Sequence, residues 1–503
     1  MKAFYLFKTQ LPVLFSILMV LTSCSSSVSK KNPGPQSEIQ INFCSPLSVY
    51  LYIHHVSDTV SDSELENIRE SLLWKGNASL IWEVDVPEKD NYEVYLIAHV
   101  REVGDGTKIT IEAGEQKSNF TISKTSGPIP GGENFSVFRS DSVMEGLNFE
   151  REKLSGSIPL EAGKQTITVS TSGIKKEDVL LHFRAFELLP LSKKEMIAAE
   201  EARAKSARAS FDWMTETGYG LMFHWTSGTP QADGSRKSYE DAVNDFDVIR
   251  FANMIDESGA GYVIWPIGHA QSYCPAPLES WERIHPGMTT QRDLLEEMAN
   301  ALNERDIRLI CYINGPLGFK YPRRGGSTPE QNEAFIANYK DILTELGMRY
   351  KDKIAGYWYD TFHEMFKEYQ HLPFEDFFNA SKIGNKDRLI CLNPWIWPEV
   401  SPWQDFWSGE VQYPIALPVN GFMKNGPSPH LPYQALLTME KHSWGAGRSG
   451  IKDPQFTSEE MSSYIKACMD NGGAVTINMS IYQDGTVGKK ALQVMREVKE
   501  RIR

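Results

Sequence analysis

Apolar and polar residues follow two different rhythms along the chain. Between about residues 38 and 190 they alternate with a period of two, as in Ala78–Val86, Tyr92–Val100 and Gln165–Ser170. That period places apolar side chains on one face of a β-strand. Gly, Pro, Asn and Asp residues separate the runs. Several short strands with turn residues between them predict an antiparallel β-sandwich over residues 38–190.

The second part of the chain alternates short apolar runs with longer amphipathic segments. Runs such as Gly261–Pro266 and Ile307–Ile313 have the length of buried strands, and helical periodicity lies between them in Arg292–Arg305. Repeated strand–helix units predict a parallel (β/α)8 barrel of the TIM type over residues 211–503. Residues 191–210 are rich in Ala, Glu, Arg and Lys and are predicted to form a helical linker. We therefore expect a multidomain chain.

Polar side chains at the ends of predicted strands are the first candidates for chemistry. Ile354–Asp360 is an apolar run that ends in a carboxylate, and the C-terminal ends of barrel strands carry active sites. Asp360 is therefore the first catalytic candidate, although an Asp in this position also caps helices. His224 and His269 fall at predicted strand ends as well. They either bind substrate or lie in the core with their nitrogens satisfied by backbone groups.

The N-terminus has the features of an export signal. Lys2 and Lys8 precede an apolar stretch, Leu11–Leu21, that is short for a membrane span. Leu21–Cys24 resembles the lipobox of bacterial lipoproteins, in which the Cys becomes the acylated N-terminus. The resemblance implies a signal peptide at residues 1–23 and a lipid anchor on Cys24. The alternative is a cleaved secretory signal with an incidental Cys.

That N-terminus sets the expected location of the protein. Residues 24–37 are rich in Ser, Lys, Pro and Gly and are predicted to form a flexible tether. We expect an exported lipoprotein of the bacterial periplasm, outer membrane or cell surface, attached to the membrane through its lipid.

Charge and motif content exclude several functional classes. The net charge is −13, from 65 acidic and 52 basic residues, which argues against nucleic acid as a partner. The five Cys after Cys24 are scattered, without the spacing of a zinc site or a disulfide framework. The sequence has no Gly-x-Ser-x-Gly, P-loop or His-Glu-x-x-His motif. We expect neither a metal nor another cofactor.

Seven segments occur in the order found in the α-L-fucosidases of glycoside hydrolase family 29, which this part of the chain resembles. They are Tyr219–Trp225, Met254–Ile264, Arg292–Tyr312, Tyr339–Asp360, Asp405–Glu410, Leu437–Gly445 and Asn471–Thr486. The resemblance implies an exo-acting, retaining glycosidase that releases a terminal sugar from a glycan. In this family the strand that matches Ile354–Asp360 ends in the nucleophile, and the segment that matches Asp405–Glu410 carries the acid/base in many members.

The resemblance therefore assigns Asp360 as nucleophile and Glu410 as acid/base. Glu399, Asp405 and Glu364 are rival acid/base candidates, and Glu410 is alternatively a solvated loop carboxylate. A retaining pair predicts a carboxyl separation of roughly 5–5.5 Å, against roughly 6.5–9.5 Å for an inverting pair.

The sugar pocket is predicted from the same resemblance and from aromatic content. Matching His residues of the family bind sugar hydroxyls, which implies this role for His224 and His269. Trp225, Trp358 and Trp444 offer flat apolar faces on which sugars stack. Asn393 follows a predicted strand and is expected to place its amide near the pocket.

Three departures from the family pattern leave alternatives open. Pro266–Tyr273 contains one His where family members carry two, and Thr361 replaces the usual Gly after the nucleophile. The sandwich precedes the barrel instead of following it. The alternatives are a related glycosidase for a galactose-like or other deoxy sugar, and a glycan-binding lipoprotein that has lost activity. Two carboxylates facing one pocket would favour an enzyme.

The sandwich itself carries a weaker resemblance. Its pattern resembles that of jelly-roll carbohydrate-binding modules, which implies glycan binding. The alternative is a domain that braces the barrel. An exposed aromatic platform would favour binding, and its absence would favour bracing. The oligomeric state is not predicted by the sequence.

Overall fold

The computed structural model describes residues 39–125 except 69, and residues 148–502 except 270, 271, 316, 318–326, 413–416, 424, 425 and 442. The predicted signal peptide, Cys24 and the tether lie outside the described residues. Within the described part of the chain, no helix is long and apolar enough to cross a membrane. Residues Gln40–Arg503 form one compact unit, so the two predicted domains are parts of one body.

The alternating segments of the first part form two antiparallel sheets, which confirms the predicted sandwich. One sheet has the order β3-β4-β11-β6-β9, with β1 paired to β11, and the other has the order β2-β5-β10-β7-β8. Their apolar faces share one core. The strands are β1 Val49–Tyr52, β2 Asp58–Ser61, β3 Glu66–Ile68, β4 Ser71–Lys75, β5 Ala78–Val86, β6 Asp90–Val100, β7 Lys108–Ala113, β8 Gln116–Thr121, β9 Glu150–Leu160, β10 Gly163–Thr171 and β11 Val179–Pro190.

Strand β11 explains how the sandwich meets the barrel. All but its first residue are buried, although strict alternation would leave every second residue exposed. Tyr50 and Ala185 of this sheet belong to the hydrophobic core of the barrel. The ring of Tyr50 packs edge-on against Phe366 with the centroids 5.6 Å apart. One face of the sheet therefore covers the second sheet, and its other face covers the barrel.

The second part of the chain forms eight parallel strands, which confirms the (β/α)8-type barrel. Their spatial order is β16-β15-β14-β13-β12-β19-β18-β17. The strands are β12 Tyr219–Met222, β13 Tyr262–Gly268, β14 Arg308–Asn314, β15 Ile354–Asp360, β16 Leu389–Leu392, β17 Trp407–Gln412, β18 Tyr433–Thr438 and β19 Ala474–Asn478. The helices are α1 Lys194–Ala207, α2 Asp212–Glu216, α3 Tyr239–Asn244, α4 Val248–Ser258, α5 Glu279–Ile284, α6 Leu294–Asn303, α7 Pro329–Tyr350, α8 Phe362–Glu368, α9 Phe374–Ser381, α10 Ser458–Asp470 and α11 Lys489–Ile502.

Two parts of the barrel differ from the sequence prediction. Strand β12 ends at Met222, so His224 and Trp225 lie in the loop after it. Strands β17 and β18 were not predicted as strands. Polar Gln434 and Thr438 are fully buried in β18, and their presence breaks the apolar pattern that marks a buried strand.

Strands β16 and β17 stand at the two ends of the sheet order and are not paired with each other. At this junction, which we call the seam, side chains close the barrel. The backbone N–H of Asp405 donates to the Ile390 carbonyl at 2.7 Å. The Asp405 carboxylate accepts from the Ile390 N–H at 2.6 Å and from Lys382 Nζ at 2.7 Å. Gln404 Oε1 accepts from the Leu392 N–H at 3.1 Å. Side-chain oxygens thus replace the carbonyls that a paired strand would supply.

We expect Asp405→Ala to lower the free energy of unfolding by about 3–5 kcal/mol, because it leaves the Lys382 ammonium buried without its partner. Denaturant unfolding measures the loss. Asp453→Ala is the matched control, since its carboxylate pairs with Lys490 at the surface with both side chains 71% exposed; it should change stability by less than about 1 kcal/mol. Equal losses in the two variants would contradict this account of the seam.

Candidate active site

Asp360 lies at the C-terminal end of β15, and three donors hold its carboxylate. Tyr312 Oη donates to Oδ2 at 2.7 Å. The Thr361 N–H donates to Oδ1 at 2.9 Å, and Asn393 Nδ2 donates to the same oxygen at 3.1 Å. These three hydrogen bonds fix the orientation of the Asp360 carboxylate.

Asn393 connects Asp360 to the second predicted carboxylate. Its Nδ2 also donates to Glu410 Oε2, at 2.6 Å. The Trp395 N–H donates to Asn393 Oδ1 at 3.1 Å, which fixes the amide with its two N–H hydrogens toward the carboxylates. The Asn393 side chain is fully buried. One amide nitrogen therefore spans Asp360 and Glu410.

Both carboxylates line a single cavity of about 440 Å³ at this end of the barrel. Six of the predicted site residues lie on its wall: Asp360, Glu410, His224, His269, Trp358 and Trp444. Thr226, Thr229, Tyr312 and Gly445 also line it and were not predicted. Asn393 does not itself line the cavity, but its amide donates to both carboxylates that do.

Hydrogen bonding fixes the proton position on His224. Asn478 Nδ2 donates to the carbonyls of Ser443 and Trp444 at 3.2 and 3.1 Å, so Asn478 Oδ1 is an acceptor. His224 Nδ1 lies 2.8 Å from that oxygen and must carry the hydrogen. Burial lowers the pKa of His224 to about 4, although Asn478 opposes the shift. The neutral ring then has an acceptor at Nε2.

Aromatic rings form a stack beside the two carboxylates. The rings of His269 and Tyr312 are stacked with centroids 5.7 Å apart, and those of Tyr312 and Trp358 are stacked at 5.3 Å. Burial lowers the pKa of His269, with the charge of Asp360 opposing it. Burial and the neighbouring Asp360 both raise the pKa of Tyr312 well above its ordinary value, so its hydroxyl keeps its proton and donates.

Tyr312 is the main site residue that sequence reasoning missed. Strands β14 and β15 pair in parallel, with Asn314 beside Asp360 and Tyr312 beside Trp358. Tyr312 and Asn314 are two positions apart, so the period of two puts both on the Asp360 face of the sheet. The alternation of side chains along β14 therefore indicated this position of Tyr312, but only in combination with the pairing register of β14 and β15.

Trp225 does not line the cavity that holds Asp360. Its ring is 1% exposed and stacks on Trp265 with centroids 5.5 Å apart. Its Nε1 donates to the Gln483 carbonyl at 3.0 Å. The ring lines a smaller pocket of about 120 Å³ together with Thr226 and His269, so its contact with a sugar stays a prediction.

The rival carboxylates lie elsewhere. Asp405 forms part of the seam between β16 and β17. Glu399 is buried, and burial raises its pKa to about 8 despite the charge of Arg208. Glu364 lies in the first turn of α8, where burial and the charge of Glu70 raise its pKa. None of the three lines the cavity that holds Asp360.

Thr361 departs from the family pattern at a strained position. Its φ of 63° lies in the left-handed region, which is costly for a β-branched residue. Its Oγ1 is buried without a hydrogen-bond partner among the described residues. Gly315 approaches closely, because its N–H donates to the Asp360 carbonyl at 2.8 Å and a Cβ there would lie 2.7 Å from that oxygen. The backbone around Asp360 is therefore tightly constrained.

In the part of the chain that the structure describes, no group of three or more His, Cys, Asp or Glu side chains is arranged to hold a metal ion. The chemistry of the cavity is that of two carboxylates, two His rings and aromatic faces.

Comparison with known families decides which family the chain belongs to. A sequence model of the family described as Alpha-L-fucosidase matches residues 179–501. The chain belongs to the alpha-L-fucosidase family. It is a glycoside hydrolase, as the seven segments implied. No curated protein sequence gives a significant match.

Solved α-L-fucosidases are among the similar structures. An α-L-fucosidase from Bacteroides thetaiotaomicron, trapped as a covalent intermediate, is 16% identical, with 57% of this chain and 73% of that chain covered at a TM-score of 0.45. AlfC from Lactobacillus casei with α-L-fucose is 17% identical, with 58% and 97% covered at 0.42. Isoenzyme 1 from Paenibacillus thiaminolyticus is 18% identical, with 60% and 75% covered at 0.44.

Replacement of Thr361 by the family's usual Gly should relieve the strain. We expect Thr361→Gly to raise the free energy of unfolding by up to about 1 kcal/mol, because the left-handed penalty exceeds the entropy that Gly adds to the unfolded chain. Thr361→Ala keeps a Cβ and should show no gain. Denaturant unfolding of both variants decides, and a lower stability for Thr361→Gly than for Thr361→Ala would contradict the strain.

Proposed function

We propose that this member of the family is a retaining exo-α-L-fucosidase in which Asp360 is the nucleophile and Glu410 the acid/base. The observation that carries the proposal is the Asn393 amide, which donates to both carboxylates at the wall of one cavity. Two carboxyl groups at one anomeric carbon are the requirement of this chemistry.

The separation of the two groups supports retention. The accepting oxygens of Asp360 and Glu410 lie 3.1 and 2.6 Å from the same nitrogen. Asp360 Oδ1 and Glu410 Oε2 are therefore no more than about 5.7 Å apart, which supports the spacing of roughly 5–5.5 Å expected between the carboxyl groups of a retaining pair. An inverting pair needs roughly 6.5–9.5 Å to admit a water between the carboxylates. The arrangement suits direct attack by one carboxylate.

The first step forms a glycosyl-enzyme. Asp360 Oδ1 is engaged by two N–H groups, whereas Oδ2 accepts one hydrogen bond from Tyr312. We assign the attack to Oδ2, whose bond to the anomeric carbon forms as the glycosidic C–O bond breaks. Glu410 gives its proton to the leaving oxygen. Because Asn393 donates to Oε2, that proton belongs on Oε1.

The second step releases the sugar. Glu410, now ionised, takes a proton from water, and the water oxygen attacks the anomeric carbon as its bond to Asp360 breaks. Two inversions give net retention. Asn393 contacts both carboxylates and holds them in place during the exchange of roles.

Substrate recognition is assigned to the remaining cavity wall. Neutral His224 presents Nε2 as an acceptor for a sugar hydroxyl, which a protonated ring would not do. Trp444, 5.4 Å from His224 between ring centroids, offers an apolar face for the sugar C–H groups. A cavity of about 440 Å³ suits one terminal sugar, which favours exo action.

Hydrolysis of 4-nitrophenyl α-L-fucoside tests the proposal. The parent enzyme should turn over this substrate, and Asp360→Asn should lose activity by roughly 10³-fold or more, because the amide cannot attack. Glu410→Ala should slow the second step by roughly 10²–10⁴-fold, and azide should restore turnover by forming a fucosyl azide of retained configuration, since azide needs no base.

Glu364→Gln is the matched control and should keep activity within about threefold of the parent, since Glu364 does not line the cavity. Loss of activity in this control, with azide rescue there and not in Glu410→Ala, would move the acid/base role to Glu364. A parent without activity on the fucoside would refute the proposed function.

A further inference from the structure

The sandwich contacts the loop that carries Asn393. Phe149 of the sandwich and Trp397 of the barrel form a small apolar cluster, separate from the two main cores, with Ile68, Trp395 and Ile396 packed against it. The rings of Phe149 and Trp397 meet edge-on with centroids 4.5 Å apart. The barrel residues of this interdomain cluster follow Asn393 by two to four positions in the chain.

Arg184 on β11 is the charged part of the same contact. Its guanidinium lies over the Trp397 ring, 3.8 Å from the centroid. Its Nη1 donates to Glu70 Oε2 at 2.9 Å. Burial raises the pKa of Glu70, but Arg184 and Lys367 outweigh it and lower that pKa to about 2. The Glu70 carboxylate therefore fixes the Arg184 guanidinium in position, and the guanidinium packs on the ring of Trp397.

The loop needs such support because its backbone is strained. Trp395 has a φ of 56°, a left-handed conformation that a bulky residue adopts only when its surroundings impose it. The same residue supplies the N–H that orients the Asn393 amide. If the loop relaxed, the Trp395 N–H would move, and with it the donor that Asp360 and Glu410 share.

A second connection reaches Asn393 from the other side. Glu70 also accepts from Lys367 of α8 at 3.1 Å. The same helix carries His363, whose Nδ1 lies 3.3 Å from the Asn393 carbonyl oxygen. Because a carbonyl only accepts, Nδ1 carries the hydrogen. The pair of Arg184 and Glu70 thus secures both the chain after Asn393 and the helix behind it.

The described sandwich residues offer no site for a sugar to stack. Their aromatic side chains are all buried: Phe43, Tyr50, Tyr52, Trp74, Trp82, Tyr92, Tyr95, Phe120, Phe149, Phe183 and Phe186. Sugar-binding platforms need exposed rings. In this part of the chain the sandwich has the features of a brace.

We propose that Arg184 is a positioning residue for the reaction: from the sandwich, it holds Trp397 and so keeps the Asn393 amide on both carboxylates. This inference rests on the proposed function, in which Asn393 fixes Asp360 and Glu410. It makes the N-terminal sandwich part of the catalytic apparatus, although none of its described residues lines the cavity that holds Asp360.

The chain supplies a matched control within the same sandwich. Arg151 is buried like Arg184, lies 3.6 Å from the centroid of the Tyr95 ring, and pairs with Glu187 at 2.6 Å. Arg151→Met removes an equivalent buried arrangement whose ring partner is Tyr95 of the sandwich, whereas the ring partner of Arg184 is Trp397. Arg184→Met removes the guanidinium and keeps much of the apolar volume.

A double-mutant cycle provides the kinetic test. Arg184→Met should lower kcat by about 10-fold with little change in KM, because a displaced catalytic group weakens the transition state and not the ground state. Arg184→Lys should recover part of the loss, and Arg151→Met should stay within about twofold of the parent. The variant that combines Arg184→Met with Asn393→Ala should be no slower than Asn393→Ala alone, since Arg184 acts through Asn393. If the fold losses of kcat in the two single variants multiply in the double variant, the inference is overturned.

Hydrogen exchange gives a second test that needs no activity. Backbone amides of residues 393–397 should exchange faster in Arg184→Met than in the parent and in Arg151→Met, whatever the thermal stability of each variant. Unchanged exchange in that segment would overturn the inference. A parent enzyme without fucosidase activity would instead refute the proposed function, and the exchange comparison would still decide whether Arg184 holds the loop.

Discussion

The site depends on one amide group. Asn393 has two N–H hydrogens, one for Asp360 and one for Glu410, and its carbonyl oxygen is occupied by the Trp395 N–H. This leaves a single orientation for the amide, and with it a single spacing for the two carboxylates. A preorganised pair of this kind lowers the reorganisation needed during the reaction. The barrel supplies the strands that carry each participant, and the backbone strain at Thr361 and Trp395 falls at the ends of these strands.

The sandwich and the barrel act as one structure around this amide. Strand β11 is buried on both faces, and its Arg184 contacts the loop after Asn393. A barrel without this sheet would leave the Trp397 ring and the β11-facing core exposed, which is unfavourable for large apolar surfaces. The sandwich that precedes the barrel, a departure from the family pattern, therefore places a buried arginine against the loop that carries Asn393.

The residues at regular strand ends were predictable from the sequence, and those that depend on packing were not. Asp360 ends an uninterrupted apolar run, so its place in the barrel followed from the pattern alone. Glu410 lies on β17, where Gly409 and the neighbouring seam obscure the strand pattern, so its assignment came from the family resemblance.

Other positions depend on packing. The position of Tyr312 beside Asp360 depends on the pairing register of β14 and β15. Trp225 was expected to contact the sugar; it stacks on Trp265 and does not line the cavity that holds Asp360. A sequence does not distinguish an aromatic ring near a strand end that packs in a core from one that lines a pocket. The contact of Arg184 with Trp397 joins residues more than 200 positions apart, and sequence periodicity does not encode such contacts.

The most direct test of the account is covalent labelling of the nucleophile. A 2-deoxy-2-fluoro fucosyl fluoride should trap the glycosyl-enzyme. Its 2-fluorine slows both steps because it destabilises their oxocarbenium-like transition states, whereas its fluoride leaving group speeds only the first step, so that the intermediate accumulates. Mass spectrometry of the digested protein should place one fucosyl adduct on the peptide that contains Asp360, and Asp360→Asn should remain unlabelled. An adduct on a different carboxylate, or labelling of the Asp360→Asn protein, would contradict the assignment.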